Sequence, residues 1–264
     1  MDSKALIKLY RRGFLPGPNE SEEAFLQRVE MCEEIAKDPQ RALRNLPLSD
    51  FDLCTEPLGL VEPLNFTFDT LLTVRSDKRL PFWEGAATWS FELEGGGQLP
   101  ILQLRKNRSY MSLEEIVSHE AVHILRTAFD EMRFEEILAY RTSKKGWRRY
   151  FGPLFRRPRE SLIFALLTLG AFALEVILLA LFPFAVWAVY LFIFPLSYVS
   201  FLLLRLVRDQ RIFSRFLSKL KRRFKEHDSE ELALFFTDRE IVEGAIKMGG
   251  DLRSSLFRYL INDV

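Results

Sequence analysis

The sequence predicts an α+β chain, mainly helical with a small antiparallel β element, that carries a two-helix transmembrane hairpin. Three observations carry that expectation. Apolar residues recur at helical spacing over residues 112–140, with no Gly or Pro to interrupt them. An alternating stretch at 88–94 is followed by Gly95-Gly96-Gly97 and a second short apolar stretch at 100–104. Two apolar runs, 161–182 and 184–204, are each close to the roughly 20 residues that cross a bilayer.

Residues 1–47 read as mainly helical. Ser21 before Glu22-Glu23-Ala24 marks a helix start, and that helix is expected to run to about Lys37, with Pro39 beyond it. Lys4, Lys8, Arg11 and Arg12 break up the first apolar residues, which a signal peptide would not tolerate. Residues 48–81 contain several prolines and read as irregular, with a candidate strand at 64–74. The alternation at 88–94 puts Trp89, Phe91 and Leu93 on one side of a strand. Residues 100–104 supply its antiparallel partner.

Ser112 with Glu115 three residues on predicts a capping box. It opens a helix whose inner face is Leu113, Ile116, Val117, Ala121, Ile124, Leu125 and Ala128. Beyond the apolar runs, residues 212–225 form a basic amphipathic stretch suited to lying on a bilayer surface. Thr237-Asp238-Arg239-Glu240 predicts a second capping box and a helix ending at Gly249-Gly250. A last helix is expected over 251–261. The expected domains are 1–143, a cytoplasmic domain; 144–160, a basic juxtamembrane segment; 161–204, the transmembrane hairpin; and 205–264, a cytoplasmic helical tail.

Charge patterning orients the hairpin. Lys144, Lys145, Arg148, Arg149, Arg156, Arg157 and Arg159 precede the first run. Arg205, Arg208, Arg211, Arg215, Lys219, Lys221, Arg222, Arg223 and Lys225 follow the second. The positive-inside rule puts both flanks, and so both termini, on the cytoplasmic side of a cell (inner) membrane. Sixteen of the 37 basic residues lie in these flanks with Glu160 and Asp209 as their only acids, so the rest of the chain is acidic. The basic clusters therefore suit a lipid bilayer with anionic head groups, and no nucleic-acid site is expected. Glu175 falls in the middle of the first run. It is either a functional intramembrane carboxylate or a protonated group bonded to a hydroxyl such as Tyr190 or Ser197. Pro195 is expected to kink the second run. Cys32 and Cys54 lack metal-site or disulfide-framework spacing.

The chemistry-bearing motif is His119-Glu120-Ala121-Val122-His123. Two of the three histidines in the chain sit here at i and i+4, which stacks both imidazoles on one helical face within reach of one metal ion. Glu120 is placed to hold a metal-bound water. A di-iron carboxylate site is excluded, because it needs a second Glu-x-x-His and His227 has Phe224 in the required position.

With a hairpin feeding a helix that bears HExxH, residues 86–143 resemble the gluzincin class of zinc metallopeptidases. In that class two His and a Glu from a following helix bind zinc, and membrane-associated members often write the second motif as Glu-x-x-Ala-Asp. Here Glu136-x-x-Ala139-Tyr140 stands at that place, with Tyr140 where the Asp would be. The resemblance implies a zinc-metallopeptidase-like domain holding one Zn²⁺ through His119, His123 and Glu136. It implies Glu120 as the catalytic general base acting on a water whose pKa zinc lowers towards about 7. The implied substrate is a protein or peptide, membrane-proximal because Glu136 lies only 25 residues before the first apolar run.

The spacing leaves the third ligand open. If one unbroken helix ran from 113 to 143, Glu136 would lie about 20 Å along the axis from His123. Asp130 or Glu135 would then compete for the role. Glu136 requires the helix to end near Phe129 or Asp130, with Asp130 as a candidate N-cap for the next. Arg126, Tyr140 and His227 are candidates to stabilise an oxyanion, with solvated or half-buried structural roles as the alternative. Residues 100–104 are a candidate edge strand for an extended substrate. Two other functional classes remain: a membrane-anchored scaffold that keeps a metal site without turnover, and a small carrier with Glu175 as its coupling group.

Overall fold

The computed structural model describes residues 1–40, 52–53, 66–67, 71–80, 84–92, 98–106, 112–182, 184, 186–246 and 249–262. The expected glycine turn at 95–97, Cys54, Pro183 and most of the irregular stretch 48–65 lie outside them. The chain opens with α1 (Ser3–Arg11) and α2 (Glu22–Lys37). The Ser21 side chain accepts a hydrogen bond from the Ala24 N–H at 3.1 Å, so the predicted helix start holds.

Four strands follow: β1 (Asp52–Leu53), β2 (Leu72–Arg75), β3 (Ala86–Glu92) and β4 (Gln98–Leu104), in the order β1-β2-β4-β3. β3 and β4 form the expected antiparallel pair, with Thr88 opposite Leu102 and Trp89 opposite Ile101. The sheet is nevertheless mixed, because β2 and β4 run parallel. The expected purely antiparallel element is corrected on this point: the chain leaves β2, forms β3 at the far edge and returns through the middle as β4. Consequently β4 has a neighbour on both sides and cannot serve as the edge strand expected at 100–104. The open edge belongs to β3.

Helices α3 (Leu113–Leu125) and α4 (Glu135–Arg141) pack against each other beside this sheet. The short α5 (Gly146–Phe151) and a 3₁₀ turn, Gly152–Leu154, lead into α6 (Pro158–Leu181). A 3₁₀ segment, Val186–Phe192, precedes α7 (Ile193–Arg223), and the tail folds into α8 (Ser229–Ala233), α9 (Asp238–Glu243) and α10 (Leu252–Asn262).

α6 and the Val186–Arg223 stretch are long and apolar enough to cross a membrane. α6 is about 36 Å long, and residues 186–204 span about 32 Å when their 3₁₀ and α-helical rises are added. Their large apolar side chains face outward, Leu166, Phe172, Phe194 and Leu204 among them, so neither is the core helix of a soluble domain. Where they leave the apolar zone, both Arg205 guanidinium nitrogens bond the two oxygens of Glu160, at 2.6 and 2.7 Å. Pro195 does not kink a helix already under way. It sits in the first turn of α7, where a missing N–H costs nothing, just after the chain passes from the 3₁₀ segment into the α-helix. Among the described residues Glu175 makes no hydrogen bond, so the expected link to Tyr190 or Ser197 is absent.

α7 continues as one helix out of the apolar zone and into the soluble core. Phe213, Phe216 and Leu220 are fully buried in the same cluster as Tyr10, Phe134, Phe235 and Phe257. The stretch 212–225 is therefore committed to protein packing, not to the bilayer surface. Its apolar face packs against the tail and against Phe134 of the segment that opens α4. Tyr10 and Arg11 both donate to Glu231 of the tail, at 3.2 and 3.0 Å. The segments before and after the hairpin thus share one core. Thr237 makes the predicted capping box with Glu240, although α9 stops at Gly244 in the left-handed conformation, well before Gly249.

Phe213 lies between the Phe134 ring, 6.0 Å away, and the Arg141 guanidinium, at 5.5 Å. Phe213→Ala is expected to destabilise the soluble region by about 3–5 kcal/mol. A thermal-unfolding midpoint unchanged from the parent protein in the same detergent would contradict this packing.

Candidate metal centre

α3 presents His119 and His123 on one face, and Ser112 starts it as predicted, accepting from the Glu115 N–H at 3.2 Å. Only half of that capping box forms. The Glu115 carboxylate instead accepts from Ser143 at 2.5 Å and pairs with Arg148 at 2.9 Å. The helix ends at Leu125. A single 3₁₀ turn, Thr127–Phe129, follows, and Asp130 takes the left-handed conformation (φ 49°, ψ 40°). Asp130 is therefore neither a ligand nor an N-cap; it is the residue at which the chain turns.

The next helix is capped from a distance. The Asp238 carboxylate of the tail accepts from the N–H groups of Arg133 and Phe134, at 2.8 and 3.1 Å. The Asp238 N–H in turn donates to Glu131 at 2.7 Å. This reciprocal pairing replaces the glycine that the turn lacks and brings α4 back alongside α3.

That reversal brings Glu136 to the histidines. The two Nε2 atoms are 3.4 Å apart, and the Glu136 carboxylate lies 3.6 Å from His119 Nε2 and 3.5 Å from His123 Nε2. A tetrahedral ion with bonds of 2.0–2.1 Å has ligand–ligand edges of roughly 3.3 Å. The His119, His123 and Glu136 group can therefore hold a metal ion, and it is the group of this kind found among the described residues. Two imidazoles and one carboxylate leave one tetrahedral position open.

Glu135, the alternative third ligand, has a different place. Its carboxylate lies 2.8 Å from His123 Nδ1 and holds that ring with Nε2 facing Glu136. Consecutive acidic residues at the start of α4 thus divide the work: one aims the imidazole and the other faces the ion. Tyr140 packs its ring edge-to-face on His119, with centroids 4.5 Å apart. Packing therefore orients the His119 ring. Gly152 closes over Tyr140 so tightly that a Cβ would lie 2.3 Å from its ring.

Glu120 is buried beside the pair, and its carboxylate accepts from Thr88 Oγ1 of β3 at 2.7 Å. Glu84, just before β3, feels the same field: burial and Glu120 raise its pKa. Thr88 follows from the strand alternation, which sets it opposite Trp89 in facing; nothing in the sequence marks Glu84. Arg126 is displaced from both expected roles. It is 1% exposed, donates to the carbonyls of Leu234 and Phe236 at 2.6 and 3.1 Å, and pairs with Glu131. It clamps the tail. His227 belongs to no metal-holding group.

The electrostatics suit a cation. Burial and the neighbouring imidazole hold His119 well below the usual histidine range. For His123 burial works downward, but Glu135, Glu136 and Glu120 outweigh it and raise the pKa to about 10. Burial lifts Glu136 to about 7, opposed by His123 and assisted by Glu120 and Glu135. Protons held by these crowded groups stand where a divalent ion would fit better. Compared with family models, curated proteins and solved structures, the chain matches none.

Two outcomes follow from this geometry. Metal entering the site must displace the His123 proton and, below about pH 7, the Glu136 proton. Apparent affinity should then rise with pH between 6 and 8, by roughly tenfold per unit for each proton released. Competition against a chromophoric chelator measures this, and a flat profile would contradict it. Glu135→Ala should weaken metal binding by about 10–100-fold while helicity is unchanged; equal affinity in the two proteins would mean that Glu135 does not support His123.

Proposed function

We propose that the chain is a membrane-anchored, zinc-dependent metallopeptidase of the gluzincin type. The convergence of His119, His123 and Glu136 carries this reading, with Glu120 beside them and Glu135 behind His123. A nitrogen- and oxygen-donor set of three with one position left open suits a catalytic zinc ion better than a structural one.

Zinc, when bound, supplies Lewis acidity that makes water a nucleophile near neutral pH. The protein does the rest. Thr88 holds Glu120 in place, and Glu120 takes a proton from the attacking water and passes it to the leaving amine. The Tyr140 hydroxyl has no protein partner among the described residues, and its pKa is raised to about 12 by burial and by Glu136 and Glu120. It stays protonated and donates to the developing oxyanion. The substrate lies extended along the open edge of β3, where Thr88 already faces the site, and pairs its backbone with that strand.

α6 and the first part of α7 cross the membrane as a hairpin, with the basic flanks on the cytoplasmic side against anionic head groups. The core shared by the segments before and after the hairpin supports a topology with both on one side. The substrates are then proteins or peptides near the cytoplasmic surface of the inner membrane.

The test compares three purified proteins. The parent protein is expected to hold about one zinc per chain, and His123→Ala to lose it. Glu120→Gln should keep the metal and lose peptide hydrolysis by about 10²–10⁴-fold. Metal retained in a parent protein that shows no Glu120-dependent hydrolysis would sink the peptidase reading and leave a metal-holding scaffold.

A further inference from the structure

We infer that α5 lies in the lipid head-group layer and holds the metal centre against the bilayer surface. The inference rests on the reading that α6 and α7 span the membrane. α7 then serves as a depth gauge. Arg205, bound to Glu160, marks the end of the apolar zone, and Arg205 also donates to the Leu154 carbonyl at 3.2 Å. Gln210, five residues further along the same helix, donates to the carbonyls of Arg149 and Tyr150, both at 3.2 Å. Five residues of helix rise about 7.5 Å. The head-group layer is about 5–7.5 Å deep on each side of the hydrocarbon core. The segment from α5 into the 3₁₀ turn therefore descends through that layer, from Arg149 near its outer edge to Leu154 at the apolar boundary.

The side chains of α5 fit that position. No residue of the helix is buried by protein. Trp147 is 62% exposed, Tyr150 41% and Phe151 50%. Three large aromatics on six residues are costly in water, and they belong at a membrane interface. Lys145 and Arg149 are exposed beside them and complement anionic phosphates. The same segment grips both ligand helices. Arg148 pairs with Glu115, one turn before His119, and Gly152 seats Tyr140 on the His119 ring. The metal centre thus sits one layer of side chains above the bilayer, and polypeptide segments emerging from that same surface are the substrate class it fits.

Fluorescence of the full chain reconstituted in vesicles tests this. The vesicles contain phosphatidylcholine and phosphatidylglycerol, with or without bromine on the upper acyl chain. The signal of Trp147 is the parent spectrum minus that of Trp147→Phe, and the signal of Trp187, in the spanning segment, is obtained in the same way. The proposal expects bromine to quench Trp147 roughly two-fold and aqueous iodide to have little effect. Quenching of Trp147 by iodide and not by bromine, with Trp187 still quenched by bromine, overturns the placement of α5 alone. Protection of Trp147 from both quenchers means that protein, such as a second copy of the chain, covers the helix, and also overturns it. If bromine quenches neither tryptophan, the membrane-spanning reading fails and the placement of α5 fails with it.

Discussion

The Asp238 carboxylate, accepting from two adjacent backbone N–H groups at the start of α4, is the contact on which the rest of the site depends. Only twelve residues separate His123 from Glu136, and none is a glycine. A chain of that composition favours one continuous helix, which would carry the carboxylate far out of reach. The break is stabilised instead by a left-handed Asp130 and by a cap donated from more than a hundred residues away. Arg126 adds a second tie to the same tail, buried under Phe129 and bonded to two tail carbonyls. Metal geometry is in this sense a tertiary property, although all three ligands lie within eighteen residues.

The second long apolar helix is part of the same structure. α7 leaves the apolar zone at Arg205 and reaches the core without a break. Asp209, fully buried, gathers Arg133, Arg156 and Arg208 around it. Arg133 is thereby held twice, by its side chain to α7 and by its backbone to Asp238. A buried carboxylate with three guanidinium partners contributes little net stability over an apolar isostere, yet loss of one member leaves charges unpaired. Its effect is to lock the direction of α7 to the turn that positions Glu136.

Much of this was legible in the sequence, and the rest was not for identifiable reasons. Local patterns mark the helix starts at Ser21, Ser112 and Thr237 and the histidine face, which depend on neighbours within four residues, while the β3–β4 pair and the two apolar helices show as continuous patterns along adjacent stretches of chain. Glu136 was legible by resemblance, while its competition with Glu135 and Asp130 was not resolvable until the turn was placed. Errors arose where a distant partner decided the outcome. The apolar stripe at 212–225 was correct, but periodicity does not distinguish a bilayer from Phe235 and Phe257 as its partner. Arg126 looked like a surface cation because nothing local announces burial against Leu234 and Phe236. The strand at 100–104 was real, but its interior position follows from β2 pairing, a non-local fact. Pro195 was read as a kink because the sequence does not show that α-helical geometry begins only two residues earlier.

The distant cap also has a temporal side. Asp238 comes after both apolar helices in the chain, so a ribosome completes the two histidines, Glu120 and Glu136 well before the residue that fixes their arrangement has been made. A nascent chain stalled or released before the tail emerges has every ligand and no fixed turn to aim the last of them. The mutual placement of the two histidines and Glu136 is thus fixed only once the tail has been made and has folded back onto the turn.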